Sequence, residues 1–154
     1  MNQAIPVAVI GVGHMGRHHA RIYHQLADTQ LVAVVDRDAD RAAEIAAQHE
    51  CRPLTEPQPI LDQVRAVSVA VPTVHHLEAA RPFIERGVAV LIEKPIAGSP
   101  DEAEQLLALG RRHNALLQIG HTERFNPVVT AIERMNIIPK FIETHRISPF
   151  TFRS

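Results

Sequence analysis

The segment Val7-Ala8-Val9-Ile10-Gly11-Val12-Gly13-His14-Met15-Gly16 constrains this chain more than any other. Ile5 to Ile10 is short, uncharged and partly β-branched, the pattern of a buried parallel strand. It breaks at once into glycines spaced G-x-G-x-x-G. In that spacing the first glycine permits a tight turn, and the second removes a Cβ where another group must approach the backbone. The third lets the following helix pack close to the strand. The helix is expected from about His14 to about Leu26. The unpaired N–H groups and positive dipole end of its first turn then face the loop, a setting that favours anionic groups.

Glycines also mark ordinary turns, so the surroundings decide. A second apolar strand, Leu31 to Val35, ends in Asp36, about 20 residues past the third glycine. There a carboxylate accepts hydrogen bonds from adenosine ribose hydroxyls, and the whole arrangement points to a dinucleotide whose pyrophosphate lies on Gly11, Gly13 and Gly16. Asp36 favours NAD over NADP because a carboxylate repels a 2′-phosphate. Arg37 beside it either offsets that preference in part or stacks on adenine. His14 and Met15 lie inside the loop and are expected to touch the cofactor. His14 and His18 have the i, i+4 spacing of metal ligands but lack the intervening Glu of the metalloprotease pattern, so no metal is expected.

Composition excludes several other classes. The 154 residues suffice for one core, or for one domain and the beginning of another. A formal net charge of −1 gives no electrostatic reason to expect a nucleic-acid partner. No apolar run approaches the ~18 residues of a membrane span, and the N-terminus lacks the charged and apolar regions of a leader. Cys51 is alone, so no internal disulfide is possible and a reducing cytoplasm is the expected setting.

Along the chain, apolar runs alternate with amphipathic segments. An Ala-rich helix is expected from about Ala39 to His49, a proline-broken edge strand at Cys51–Leu54, and a short helix from Pro57 to about Gln63. Ala66–Val71 is another buried strand that stops at Pro72; Thr73-Val74-His75-His76 then leads into a helix through about Arg86 that Gly87 stops. Val88–Ile92 and Ala115–Ile119 are two more strands. Between them a helix opens on Ser99-Pro100-Asp101-Glu102, with Ser as N-cap and acids in the first turn, and runs to about Asn114. This alternation predicts an α/β fold with a doubly wound parallel sheet.

In such sheets the site lies beyond the carboxyl ends of the strands. The residues there are His14, Asp36, Pro72-Thr73-His75, Glu93-Lys94-Pro95 and His121-Thr122-Glu123-Arg124. Lys94 stands out because the only other lysine is Lys140. A lysine can move a proton near neutral pH once its surroundings lower its affinity for it, whereas arginine cannot. The competing readings are a surface Glu93–Lys94 pair without a role, and Glu93 as a structural anchor of the turn.

Gly11-Val-Gly-His-Met-Gly-Arg-His-His-Ala, Val71-Pro-Thr-Val-His75, Glu93-Lys-Pro-Ile-Ala97 and Gly120-His-Thr-Glu-Arg-Phe-Asn-Pro127 together resemble the N-terminal half of the Gfo/Idh/MocA oxidoreductases. This is the family of glucose–fructose oxidoreductase and inositol 2-dehydrogenase, and the Glu-Lys-Pro tripeptide at a strand end is its most specific mark. The Gly120–Pro127 stretch is similar to that of members that oxidise UDP-N-acetylhexosamines, such as UDP-N-acetylglucosamine 3-dehydrogenases. The resemblance implies that the glycine loop and Asp36 hold NAD(P), and that Pro72, Thr73 and His75 line the nicotinamide ribose side, next to Glu93. It implies that Lys94 is catalytic, bonding the reacting hydroxyl and helping its deprotonation, while His121 and Arg124 face a sugar, nucleotide-sugar or cyclitol substrate. It also implies an unusual geometry for the peptide before Pro95.

The family continues into a second domain, an open-faced antiparallel sheet with helices, whose downstream Asp-x-x-x-His element supplies the usual proton acceptor. The expected division is therefore a cofactor domain at 1–122 and, at 123–154, the beginning of a truncated α+β substrate and oligomerisation domain. There Asn126-Pro127 is expected to cap a short helix bearing Val128, Val129, Ile132 and Met135, and Lys140–Ser148 to form one strand. Four of the five phenylalanines lie in the last thirty positions, more apolar surface than one helix and one strand can bury, so a homo-oligomer is expected through this region. Two rivals stand beside the dehydrogenase. One is a non-catalytic NAD(H) sensor or interaction module, which has no need of Lys94. The other, a redox or metal regulator built on Cys51 and the histidines, lacks adequate ligand spacing.

Overall fold

The structure, a computed structural model, describes residues 4–135, 138–143 and 145, and falls into two compact units, Met1–His121 and Thr122–Ser154. The first unit is a six-stranded parallel sheet. Its strands are β1 (Ile5–Ile10), β2 (Thr29–Val35), β3 (Arg52–Leu54), β4 (Ala66–Val69), β5 (Ala89–Ile92) and β6 (Leu117–Ile119). Its helices are α1 (Gly16–Gln25), α2 (Ala39–Gln48), α3 (His76–Ile84) and α4 (Pro100–Arg112). The strand order is β3-β2-β1-β4-β5-β6, and every pairing is parallel. The chain winds outward from β1 in one direction, then returns to β4 and winds outward in the other. That reversal leaves a crevice between the loops that follow β1 and β4.

The period of the strands divides the core in two. Val7 and Val9 of β1 face a cluster with Ala20 of α1 and Ile45 and Ala46 of α2. Ala8 and Ile10 face the opposite cluster, built on Ile60, Phe83 and Ile84 of α3, and Leu106 of α4. β2 does not alternate cleanly. Its register against β1 slips between Val7 and Ala8, so that Leu31 pairs with Val7 and Ala33 with Ala8. The extra residue, Val32, packs on the same side as Ala33, while Leu31 and Val34 face the other cluster. Phe83 is fully buried and contributes about 1.5–3 kcal/mol by that burial.

Several expected boundaries move. α1 begins at Gly16 rather than His14, because Gly13 to Met15 form a turn whose first helical bond runs from Arg17 N–H to the Gly13 carbonyl (3.2 Å). β4 stops at Val69 instead of Val71, and the Val71 carbonyl accepts from the ring of His76 (2.9 Å). The helix that Thr73–His76 leads into, expected through about Arg86, runs from His76 to Ile84 behind a single 3-10 turn at Thr73–His75. Of the helix expected at Pro57–Gln63, only Gln58–Ile60 forms, as a 3-10 turn. Ser99 caps α4 as expected, its hydroxyl accepting from Glu102 N–H (3.3 Å). The Glu102 carboxylate reaches back to Gly98 N–H (2.9 Å).

In the second unit a 3-10 turn, Thr122–Phe125, precedes α5 (Pro127–Arg134). Asn126 is the N-cap of α5 and accepts from Val128 N–H (2.9 Å), with Pro127 in the first turn. The strand expected over Lys140–Ser148 is not formed at Lys140–Glu143, and residues 144 and 146–148 lie outside the described residues. A lone strand has no ladder partner to satisfy its backbone.

Candidate functional site

The first unit gathers the expected residues along one edge of the sheet. Backbone bonds past the strand ends hold the loops together there: Gly11 N–H to Val35 carbonyl (2.7 Å), Ala70 N–H to Ile10 carbonyl (2.8 Å), Glu93 N–H to Val69 carbonyl (2.9 Å) and Gly120 N–H to Ile92 carbonyl (2.8 Å). The loops after β1, β2, β4, β5 and β6 thereby bring Gly11–Gly16, Asp36–Arg37, Pro72–His75, Glu93–Lys94 and His121 to the same edge. Arg124 belongs to the second unit, where it sits exposed in the 3-10 turn.

The three loop glycines are needed for three different reasons. Gly11 has φ +83°, and a Cβ on it would come within 2.8 Å of the Val71 backbone nitrogen. A Cβ on Gly16 would collide with the Gly11 carbonyl oxygen, so this residue lets α1 close on the loop. A Cβ on Gly13 would meet nothing within 4 Å: the protein leaves that space open. Beside it, the N–H groups of Gly13, His14 and Met15 have no acceptor among the described residues. An open volume flanked by free donors at a helix start fits a pyrophosphate, and these residues would hold one.

His14 and His18 meet edge to face across that start, with ring centroids 5.6 Å apart. Desolvation, then the neighbouring Arg17 guanidinium, lowers the pKa of His18 below its usual 6.5. No cluster of three metal-ligating side chains occurs among the described residues.

Asp36 is more engaged than its sequence position suggests. One carboxylate oxygen accepts from Val12 N–H (2.9 Å), tying the end of β2 to the glycine loop, and the other accepts from Asp38 N–H (3.0 Å). The Arg41 guanidinium donates to both oxygens (3.2 and 3.4 Å). The cation against Asp36 is therefore Arg41, one helical turn into α2. Arg37 leans away toward Glu78 (3.8 Å), which also lies 3.6 Å from His75. Nothing in the local sequence distinguishes Arg41 from Arg37; only the helical turn after Asp38 brings it back.

At the end of β5, Glu93 and Lys94 point in different directions. Glu93 is 6% exposed, and its carboxylate accepts from His19 Nε2 (3.0 Å) and from Lys94 N–H (3.1 Å). Lys94 is exposed, and its ammonium has no ion-pair or hydrogen-bond partner among the described residues. The two side chains do not form a surface pair. The Lys94–Pro95 peptide is cis. Past it, the Ile96 carbonyl lies 3.2 Å from Nδ1 of His76, whose Nε2 bonds the Val71 carbonyl (2.9 Å). His76, 1% exposed, thus spans the loops after β4 and β5. His19 and His76, like Arg41, support the site and were missed by sequence reasoning.

Comparison with known proteins agrees with this geometry. Residues 5–121 match the profile of the Gfo/Idh/MocA family, described as an oxidoreductase family with an NAD-binding Rossmann fold. The UDP-N-acetylglucosamine 3-dehydrogenase of Acidithiobacillus ferrooxidans is 39% identical over 147 residues, which span 95% of this chain and 46% of that protein. Inositol 2-dehydrogenase 4 of Saccharopolyspora erythraea is 37% identical over 143 residues, 86% of this chain and 41% of that protein. The chain thus spans less than half the length of these relatives.

Among solved structures, the Acidithiobacillus ferrooxidans enzyme superposes with a TM-score of 0.81 at 38% identity, covering 86% of this chain and 44% of that one. GenD2 from gentamicin A biosynthesis, in complex with NAD, gives 0.83 at 32% identity, covering 86% and 39%. KijD10, a 3-ketoreductase from Actinomadura kijaniata in a complex with NADP, gives 0.79 at 26% identity, covering 86% and 43%. The loop whose open face Gly13 provides and the doubly wound sheet beneath it are features of a nucleotide-binding fold, and the chain belongs to the Gfo/Idh/MocA oxidoreductases, with residues 5–121 as its NAD-binding Rossmann domain.

Proposed function

We propose that this chain is the cofactor-binding part of a dehydrogenase that acts on a secondary alcohol of a sugar, a nucleotide-sugar such as a UDP-N-acetylhexosamine, or a cyclitol. The observation that carries the reading is Lys94: an unpaired ammonium at the end of β5, beside the crevice, in a chain with one other lysine. Relatives named as dehydrogenases of UDP-N-acetylglucosamine and of inositol support the substrate class. NAD, when bound, accepts the hydride. Gly11, Gly13, His14, Met15 and Gly16 hold the pyrophosphate, Asp36 takes the ribose hydroxyls, and Pro72, Thr73 and His75 shape the nicotinamide end. Lys94 donates a hydrogen bond to the reacting hydroxyl oxygen and favours loss of its proton to a base that the second domain would supply, and His121 and Arg124 contact the substrate.

NAD is preferred to NADP in this reading, because the Asp36 carboxylate stands where a 2′-phosphate would lie. The boundary near residue 122 separates the cofactor domain from a segment that belongs to the substrate and oligomerisation domain. Phe125, Val128, Ile132, Met135, Ile138 and Phe141 are all exposed, and a second copy of the protein would cover such a surface. Solution mass with and without residues 125–154 tests that part.

The enzymatic reading is tested by NADH formation with UDP-N-acetylhexosamines, inositols and aldoses, using a protein that carries this chain and a second domain of the family. Lys94→Met is expected to lower turnover by about 10²–10⁴, with NAD affinity kept. A wild-type rate in that variant would remove Lys94 from the chemistry and favour a non-catalytic NAD(H) sensor.

A further inference from the structure

Beneath the turn that carries Lys94, four side chains form a hydrogen-bonded line through the interior of the first unit. The Tyr23 hydroxyl lies 2.8 Å from Ser68 Oγ, which lies 3.0 Å from His19 Nδ1. On the other side of the ring, His19 Nε2 lies 3.0 Å from Glu93 Oε1, and Glu93 Oε2 accepts from the Lys94 N–H at 3.1 Å. Ser68 is 0% exposed and Glu93 6%. One assignment of protons satisfies every member: Tyr23 donates to Ser68, Ser68 donates to Nδ1, and the ring donates from Nε2 to Glu93.

A Ser–His–Glu sequence of contacts has the form of a hydrolase triad. Here the serine is fully buried and already bonded by Tyr23, so no substrate carbonyl reaches it. The line ends instead on a backbone amide beside the site.

We infer that His19, oriented by Ser68 and Tyr23, is a positioning residue that fixes the Glu93 carboxylate and, through it, the backbone of Lys94. The chemical use of Lys94 rests on the proposed function; the positioning does not. Two neighbours complete the seat. A Cβ on Gly120 would come within 2.9 Å of Glu93 Oε1, so the position just after β6 holds the one residue that leaves the carboxylate its room. His76 holds the far end of the same turn, between the Val71 and Ile96 carbonyls. With the protons so placed, both oxygens of the anchoring carboxylate accept. A glutamine has one acceptor oxygen and one donor nitrogen, and in that arrangement serves only one of the two contacts.

Amide hydrogen exchange at Lys94, followed by NMR on the 154-residue chain without cofactor, reads the last link directly. Exchange at Val67 and Val90, in the central strands, reports the integrity of the sheet. Exchange of the Lys94 amide is expected to accelerate about tenfold or more in His19→Leu and in Glu93→Gln, with the strand amides unchanged. His19→Gln is expected to keep most of the protection, since its amide N–H can donate where Nε2–H does. Should His19→Leu also lose the strand amides, Glu93→Gln and Gly120→Ala decide, because they disturb the carboxylate without emptying the ring's site. Unchanged Lys94 exchange in Glu93→Gln with the sheet intact would overturn the inference. So would equal acceleration in His19→Gln and His19→Leu, which would mean that the ring acts by packing alone. Accelerated exchange in a chain that fails to bind NADH would support the positioning line and refute the proposed function instead.

Discussion

Valine at Gly13 should separate binding from folding more sharply than any other single change. A Cβ there meets no protein atom within 4 Å, and the backbone is outside the left-handed region, whereas Gly11 has φ +83° and a Cβ on Gly16 would strike the Gly11 carbonyl. Gly13→Val is therefore expected to shift folding stability by no more than about 0.5 kcal/mol, the range of surface changes that disturb no packed neighbour. The same side chain fills the space in front of the free N–H groups of Gly13, His14 and Met15. A hydrogen bond to a charged group contributes about 1.5–3 kcal/mol, and about 1.4 kcal/mol is tenfold in affinity. Displacing the pyrophosphate from even one donor weakens NADH binding about 10- to 100-fold. Urea denaturation and NADH fluorescence titration on the same samples provide the two readings, with Gly16→Val as the control that loses stability. NADH affinity within about twofold of wild type, in a folded Gly13→Val, would show that the loop is only a turn.

Asp36→Asn keeps an oxygen for Val12 N–H while removing the charge that opposes a 2′-phosphate, and it frees Arg41 to meet one. The NADH-to-NADPH affinity ratio should fall about tenfold or more; titration of both cofactors checks it, and an unchanged ratio would put cofactor choice elsewhere. Burial pushes the Cys51 thiol up to about 11, so at pH 7.5 it is protonated and should react with a disulfide reagent far more slowly in the folded chain than in urea. Because the folded pKa is the raised one, its contribution to stability is complete below pH 9.0 and declines as pH rises toward about 11. Equal thiol reaction rates in the two states would contradict that burial.

What the sequence determined was whatever depends on neighbours along the chain. Apolar runs interrupted by glycine, Asp36 at the end of its strand, Ser99 and Asn126 as caps, and Gly87 as a stop act within a few residues, and each appears where its local chemistry requires it. The alternation of strand and helix likewise implied a parallel sheet, since parallel neighbours need a crossover. The structure decided what depends on strand order. Tyr23 and Ser68 are 45 residues apart in sequence, His19 and Ser68 49, and His19 and Glu93 74. They meet because β4 pairs between β1 and β5, which brings Ser68 of β4 and Glu93 at the end of β5 within reach of His19 on α1. In the sequence His19 is one of four histidines on a helix, and nothing local marks it out from His18 or His24. Selecting the partner of Glu93 takes a burial pattern and a hydrogen-bond geometry, and both come into being only when distant strands pair and exclude water from the groups between them.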